Sequence, residues 1–165
     1  MTGRMRLTAC WGLAMSRFYL DTNALIDLYI ARAPGRHEAM LQLVEGCRGG
    51  RGELLVGANS VLDASYVIED GRQFREVIPE RRLRQQLASN LRRIAFHYLT
   101  ICPIDERVLR AAHRNKTEPD FDDALVAECA REAGADIIVS SDQRAFRNSA
   151  VPGATPEECA ACVRG

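Results

Sequence analysis

Five aspartates stand at positions where a chain can build acid chemistry: Asp21, Asp63, Asp120, Asp123 and Asp142. Asp21 directly follows the apolar run Phe18-Tyr19-Leu20, and Asp142 follows Ile137-Ile138-Val139 after Ser140 and Ser141. In open parallel sheets, functional groups gather just beyond the carboxyl ends of the strands. Asp120 and Asp123 lie three residues apart at the start of a helical pattern, which puts them on one face. Asp63 sits near the start of the helix expected after the second strand. Crowded carboxylates repel one another, and burying them unpaired is costly. A divalent cation resolves that conflict. Mg²⁺ takes oxygen ligands from one or two carboxylates and completes its shell with water or substrate phosphate. Such an ion can activate water for in-line displacement at phosphorus. An acid cluster without a matched His/Cys set therefore points to phosphodiester hydrolysis.

Each acid also has a plainer reading. Asp21 and Asp142 could cap the helices after them, a common aspartate role. Asp120 and Asp123 suit a first helical turn through the macrodipole alone. Asp122 falls on another face of that helix and is expected to be solvated. Capping does not account for why so many acids converge on one edge.

The elements that must position these groups are legible from hydrophobic periodicity. Phe18–Leu20, Leu54–Val56, Tyr98–Cys102 and Ile137–Val139 read as strands. Helical patterns follow Asp21, with Thr22 or Asn23 as cap. Others run from Arg36 to Cys47, through Val61 to Ile68, from Pro79 to His97, from Glu106 to Arg114 and from Asp120 to Ala133. A short helix is expected from Asp142 through Phe146. A last one should open at Pro156 with Thr155 as its cap. Alternating strand and helix with apolar strands implies an α/β fold, a parallel sheet covered on both faces.

At 165 residues and 47% hydrophobic content, the chain fits one domain with one sizeable core. Its 22 basic and 22 acidic residues cancel, so no global field advertises a nucleic-acid partner. Between Gly71 and Arg93, however, seven arginines face two glutamates. That surplus could track phosphates or simply solvate an amphipathic helix. The six cysteines are expected as reduced thiols, including the Cys159/Cys162 pair, because no second pair at zinc spacing accompanies it. The histidines at 37, 97 and 113 form no evident site. Residues 1–15 are expected to be a disordered extension before a domain spanning 16–165. No segment reaches the length of a membrane span, so a cytoplasmic protein is expected.

The run Phe18-Tyr19-Leu20-Asp21-Thr22-Asn23-Ala24-Leu25-Ile26-Asp27 resembles the opening of PIN-domain nucleases. Asp120-Phe121-Asp122-Asp123-Ala124-Leu125, with Ala127 and Ala130 after it, is similar to the family's third acidic motif. The stretch Gly134 to Phe146 resembles its fourth, and Thr155-Pro156-Glu157-Glu158 its closing strand-to-helix turn. The resemblance implies a single PIN-like domain with a central parallel sheet of four to five strands and helices on both faces. It implies Asp21, Asp123 and Asp142, with Asp120, as metal ligands for Mg²⁺ or Mn²⁺. Asn23 and Ser140 or Ser141 would position substrate, and Phe146 would be an apolar plug. The family's second acid is normally a glutamate. Here either Asp63 replaces it, one methylene shorter, or Ala64 does and a ligand is lost. By the same resemblance the chain would be a ribonuclease of the VapC-like toxin type, acting on RNA, forming a homodimer and pairing with a small antitoxin.

Two rivals differ in class. A haloacid-dehalogenase-like phosphatase would carry a second aspartate two residues after the first, where Asn23 stands. A non-catalytic PIN-like module would bind RNA or protein through a degenerate metal site.

Overall fold

The computed structural model describes residues 15–142 and 144–164. The expected disordered extension falls almost wholly outside these residues; Met15 is exposed and Ser16 already opens a strand. Five strands form one parallel sheet: β1 (Ser16–Leu20), β2 (Gly52–Gly57), β3 (Thr100–Cys102), β4 (Ile137–Val139) and β5 (Gly153–Ala154), in the spatial order β3-β2-β1-β4-β5. Among the described residues, eight α-helices accompany them, α1 (Thr22–Tyr29), α2 (Pro34–Gly46), α3 (Ala58–Asp70), α4 (Arg72–Val77), α5 (Arg81–Tyr98), α6 (Glu106–Arg114), α7 (Phe121–Glu132) and α8 (Pro156–Val163), with a π-helical turn over Cys47–Arg51 between α2 and β2.

The strands are apolar on both faces because both faces are covered. Side chains alternate along a strand. Phe18, Leu20, Leu54, Val56, Ile137 and Val139 point into one core with residues of α1, α2, α3, α5 and α8. Tyr19, Leu55 and Ile138 point the other way, onto α6 and α7. The α/β class with a covered parallel sheet is as the sequence implies, with β5 as the fifth strand.

Helix ends follow local chemistry. Gly134 adopts φ +65, its N–H reaching the Arg131 carbonyl while the Ala135 N–H reaches that of Ala130. This paired closure needs a left-handed residue, which glycine supplies at no steric cost. Thr155 caps α8 in a reciprocal capping box with Glu158. The cap of α1 is neither Thr22 nor Asn23 but Asp21, whose Oδ1 accepts the Ala24 N–H at 2.6 Å. The helical pattern expected from Pro79 to His97 is α5, and the short α4 before it is not among the expected elements. Two other expectations are corrected. Arg84 is buried and donates to the carbonyls of Glu69, Ile78 and Pro79, so it belongs to the fold rather than to a phosphate track. The segment after Asp142 forms turns rather than a helix.

Cys159 and Cys162 lie on α8 within the core, where α8 packs against α2. At that crossing Gly46 leaves no room: a Cβ there would come within 2.4 Å of the Val163 side chain. Gly46→Ala is expected to destabilise the fold by about 1–3 kcal/mol, the usual cost of overpacking, although alanine favours helix. Urea unfolding should show the loss, and adding Val163→Ala should recover part of it. Additive losses in the double variant would contradict this packing account.

Candidate active site

The sheet order reverses between the paired strands β1 and β4, so the chain leaving β1 packs on one face of the sheet and the chain leaving β4 on the other. Such a switch point leaves a crevice at the carboxyl edge. Asp21 leaves β1 there, its N–H bonded to the Val139 carbonyl at 3.2 Å. Ser140 follows β4, with its own N–H held by Ala154 of β5 at 2.9 Å. The two strand ends are thereby locked to each other before any side chain is considered.

The cleft beside them measures about 400 Å³ and is bordered by Asp21, Asn23, Asn59, Asp63, Asp122 and Asp123, with Tyr66 at its rim. Asp21 is buried, and burial pushes its carboxyl up to about 6. The nearby charge of Asp27 pushes the same way, while the Ser140 hydroxyl and the Ala24 and Asn23 amides oppose the rise. Asp123 is half-buried and also raised to about 6, first by burial and then by Asp120, Asp142, Asp21 and Glu118. Asp123 thus feels the charge of four other acids. Asp120 caps α7, accepting the Asp123 N–H at 2.9 Å. The carboxylate of Asp142 accepts the Arg144 N–H at 2.8 Å, and its own N–H donates to Ser140 Oγ at 3.1 Å. Ser140 is buried and joins Asp21 to the Asp142 backbone.

Asp63 is exposed on the cleft wall, and its carboxyl is raised by partial burial and by Asp122. Ala64 is fully buried in the core. Of the two alternatives for the second acid, only Asp63 faces the cleft. Asp122, expected on a solvated face apart from the site, is exposed but borders the same cleft. Asn23 is exposed at the cleft mouth. Phe146 is buried, as a plug would be, and holds φ +63, a strained value for an aromatic residue.

Asp27 carries a role that the sequence did not reveal. It is wholly buried on α1. Arg32 reaches its Oδ1 through Nε at 3.1 Å and Nη2 at 2.8 Å, and Arg36 lies 3.6 Å from Oδ2. Ser141 Oγ donates to Oδ2 at 3.3 Å. Ser141 is thus turned toward the buried Asp27 carboxylate while Ser140 serves Asp21. The available signal was one acid inside an otherwise apolar helix, with arginines five and nine residues on.

The cleft's donors are all oxygens from carboxylates, amides and hydroxyls, with no thiol or imidazole among its lining residues. Oxygen donors suit a hard divalent cation, and the raised carboxyls mark charge held without compensation. Among the described residues, no three His, Cys, Asp or Glu side chains are gathered into a ready-made cage. Mg²⁺ does not require one, since it retains several waters.

The PIN-domain family profile matches residues 17–144, from the start of β1 through Asp142. The chain belongs to the PIN-domain family. PIN domains are nucleases, and this one shares its fold with VapC20 of Mycobacterium tuberculosis, a toxin that cleaves the sarcin–ricin loop. The two superpose at a TM-score of 0.56 with 14% identity, over 76% of this chain and 89% of that one. No curated protein matches this chain. Among the described residues of this PIN domain, no helix is long and apolar enough to cross a membrane.

The raised Asp21 carboxyl has a consequence for stability in metal-free protein. A folded value of about 6 against 3.8 for the free side chain means the native state holds this proton more tightly. That stabilisation is complete below about pH 4 and is lost as pH rises through about 6. Asp21→Asn keeps an acceptor for the Ala24 cap and removes the titration. In EDTA it is expected to melt several degrees above the parent at pH 7.5, with the gap closing toward pH 4. A gap independent of pH, or a variant less stable at pH 7.5, would contradict the assignment.

Proposed function

We propose that this PIN domain is a Mg²⁺- or Mn²⁺-dependent endoribonuclease and the toxin of a toxin–antitoxin pair. The observation that carries the reading is the convergence of Asp21, Asp120, Asp123 and Asp142 on one sheet edge, with Asp21 and Asp123 both pushed up to about 6. Asp21, Asp123 and Asp142, with Asp120, would hold the ion. A bound divalent ion supplies a water activated for attack at phosphorus and charge to offset the developing negative oxygens. The remaining tasks fall to the chain. Ser140 fixes the Asp21 carboxylate and the Asp142 backbone in one arrangement. Asp63 faces the scissile region from α3, either as a further acid or by orienting water. Asn23 borders the same space and would position substrate, while Ser141, tethered to Asp27, would do so from the β4 turn.

RNA as substrate rests on the family and on the description of VapC20. So do a small antitoxin partner, a homodimer and a cytoplasmic location. The charge distribution agrees with an RNA surface, since Arg75, Arg81, Arg82 and Arg93 remain exposed on α4 and α5.

The test is a panel of tRNA and rRNA incubated with the protein in Mn²⁺, Mg²⁺ or EDTA, beside Asp21→Asn. Cleavage is expected only with metal. The variant should lose at least roughly a hundredfold in rate, the scale on which a charge-stabilising group contributes to catalysis. RNA binding that persists without metal, with no turnover by the folded parent, would favour a non-catalytic module instead.

A further inference from the structure

Two loops bring acids to the cleft from opposite sides: the α6–α7 connection that leads into Asp120 and Asp123, and the turn after β4 that carries Asp142. Backbone pairing fixes the second only as far as Ser140. Beyond that point the chain makes turns over 144–150 and has no strand or helix to hold it. A contact from the first loop supplies the hold. Glu118 Oε2 accepts the Phe146 N–H at 3.1 Å, across 28 residues of sequence. Phe146 is the non-glycine residue with positive φ among those described, and its ring is buried. A bulky side chain persists in that region only where its surroundings over-determine it. Burial of the ring and capture of the amide are those surroundings. Glu118 is half-buried, and its other oxygen, Oε1, is buried with no hydrogen-bond partner. Its charge also reaches Asp123. A carboxylate kept beside other acids with one oxygen unsatisfied works against local stability. Its placement is accounted for by the amide it holds.

We propose that Glu118 is a positioning residue for the nuclease site: by holding the Phe146 amide it fixes the turn that carries Asp142 opposite Asp123. The inference rests on the nuclease reading for its effect on rate, but the clamp itself can be read without turnover. Ser141 is tethered to Asp27 on the other side, so the Asp142 segment is pinned at both ends: by α1 before it and by the α6–α7 loop after it.

The experiment compares the parent with Glu118→Gln, which keeps an acceptor, and Glu118→Ala, which does not. Glu118→Met replaces the alanine variant should that chain not fold. In metal-free protein, the Phe146 amide is expected to exchange slowly with solvent in the parent and in Glu118→Gln. In the variant without an acceptor it should exchange fast, and the Asp142 amide resonance should move. With Mn²⁺ and a cleaved RNA, Glu118→Gln should stay close to the parent. The variant without an acceptor should lose up to roughly a hundredfold in kcat, with KM little changed, as expected when a group is misplaced by about an ångström. Slow Phe146 exchange or an unmoved Asp142 resonance in that variant would overturn the clamp. Unchanged kcat despite a released amide would overturn its role in the reaction. A parent that cleaves no RNA would remove the nuclease reading, while the amide data would still decide the clamp.

Discussion

Mutual repulsion among carboxylates at one sheet edge is the constraint around which the rest of this molecule is arranged. Left to themselves, Asp21, Asp120, Asp123 and Asp142 would move apart into water, where their charges cost least. They cannot. Asp21 is fixed because it ends β1 and caps α1 in one step. Asp120 and Asp123 are fixed because the first caps α7 and the second stands in its first turn. The N-termini of both helices favour negative charge, which offsets part of the repulsion. The fold thus uses ordinary capping chemistry to place acids where acids do not wish to be; burial raises the carboxyls of Asp21 and Asp123, and for Asp123 the neighbouring acids add to the rise.

The capping reading and the functional reading are therefore not alternatives in this protein. A cap needs one oxygen, and a carboxylate has two. Asp21 gives Oδ1 to the Ala24 amide and Asp120 gives Oδ1 to the Asp123 amide, leaving acceptor capacity on each. Behind them sits a layer of polar contacts in which Asp27 is wholly buried and its partner Arg32 reaches solvent. Ser140 joins Asp21 to the β4 turn, and Asp27 with Arg32 holds Ser141 from the side. Removing Arg32 would leave the buried Asp27 charge less compensated, so this layer resists rearrangement.

Much of this was open to reading in the sequence because strand ends and helix starts have strong local signatures. Asp21 and Asp142 follow apolar runs of unmistakable strand type, and Asp123 opens a helix closed by Gly134. At positions 63 and 64 the sequence leaves the register open; in the structure Ala64 is sealed in the core and Asp63 borders the cleft. Asp27 was hidden for a similar reason: an acid among apolar residues looks like a break in a stripe until its arginines are seen folded over it. Glu118 has no local signature, because its partner is a backbone amide in another loop. The arginine surplus misled in part, since Arg84 spends its donors on backbone carbonyls and composition cannot distinguish an inward arginine from an outward one. The turn at Phe146 depends on a backbone conformation that its residue type disfavours, and periodicity has no means to foresee that.

If uncompensated negative charge is what the cleft is built to hold, a divalent cation should relieve it, and relief appears as stability. The most direct measurement is the thermal midpoint of the metal-free protein at pH 7.5, titrated with Mn²⁺, beside Asp123→Asn. Binding to the native state alone raises the midpoint progressively with ligand concentration. The parent should rise with Mn²⁺ and saturate, and the variant should rise much less. A parent whose midpoint does not respond to Mn²⁺, or a variant that responds equally, would contradict the claim that these acids form a cation site.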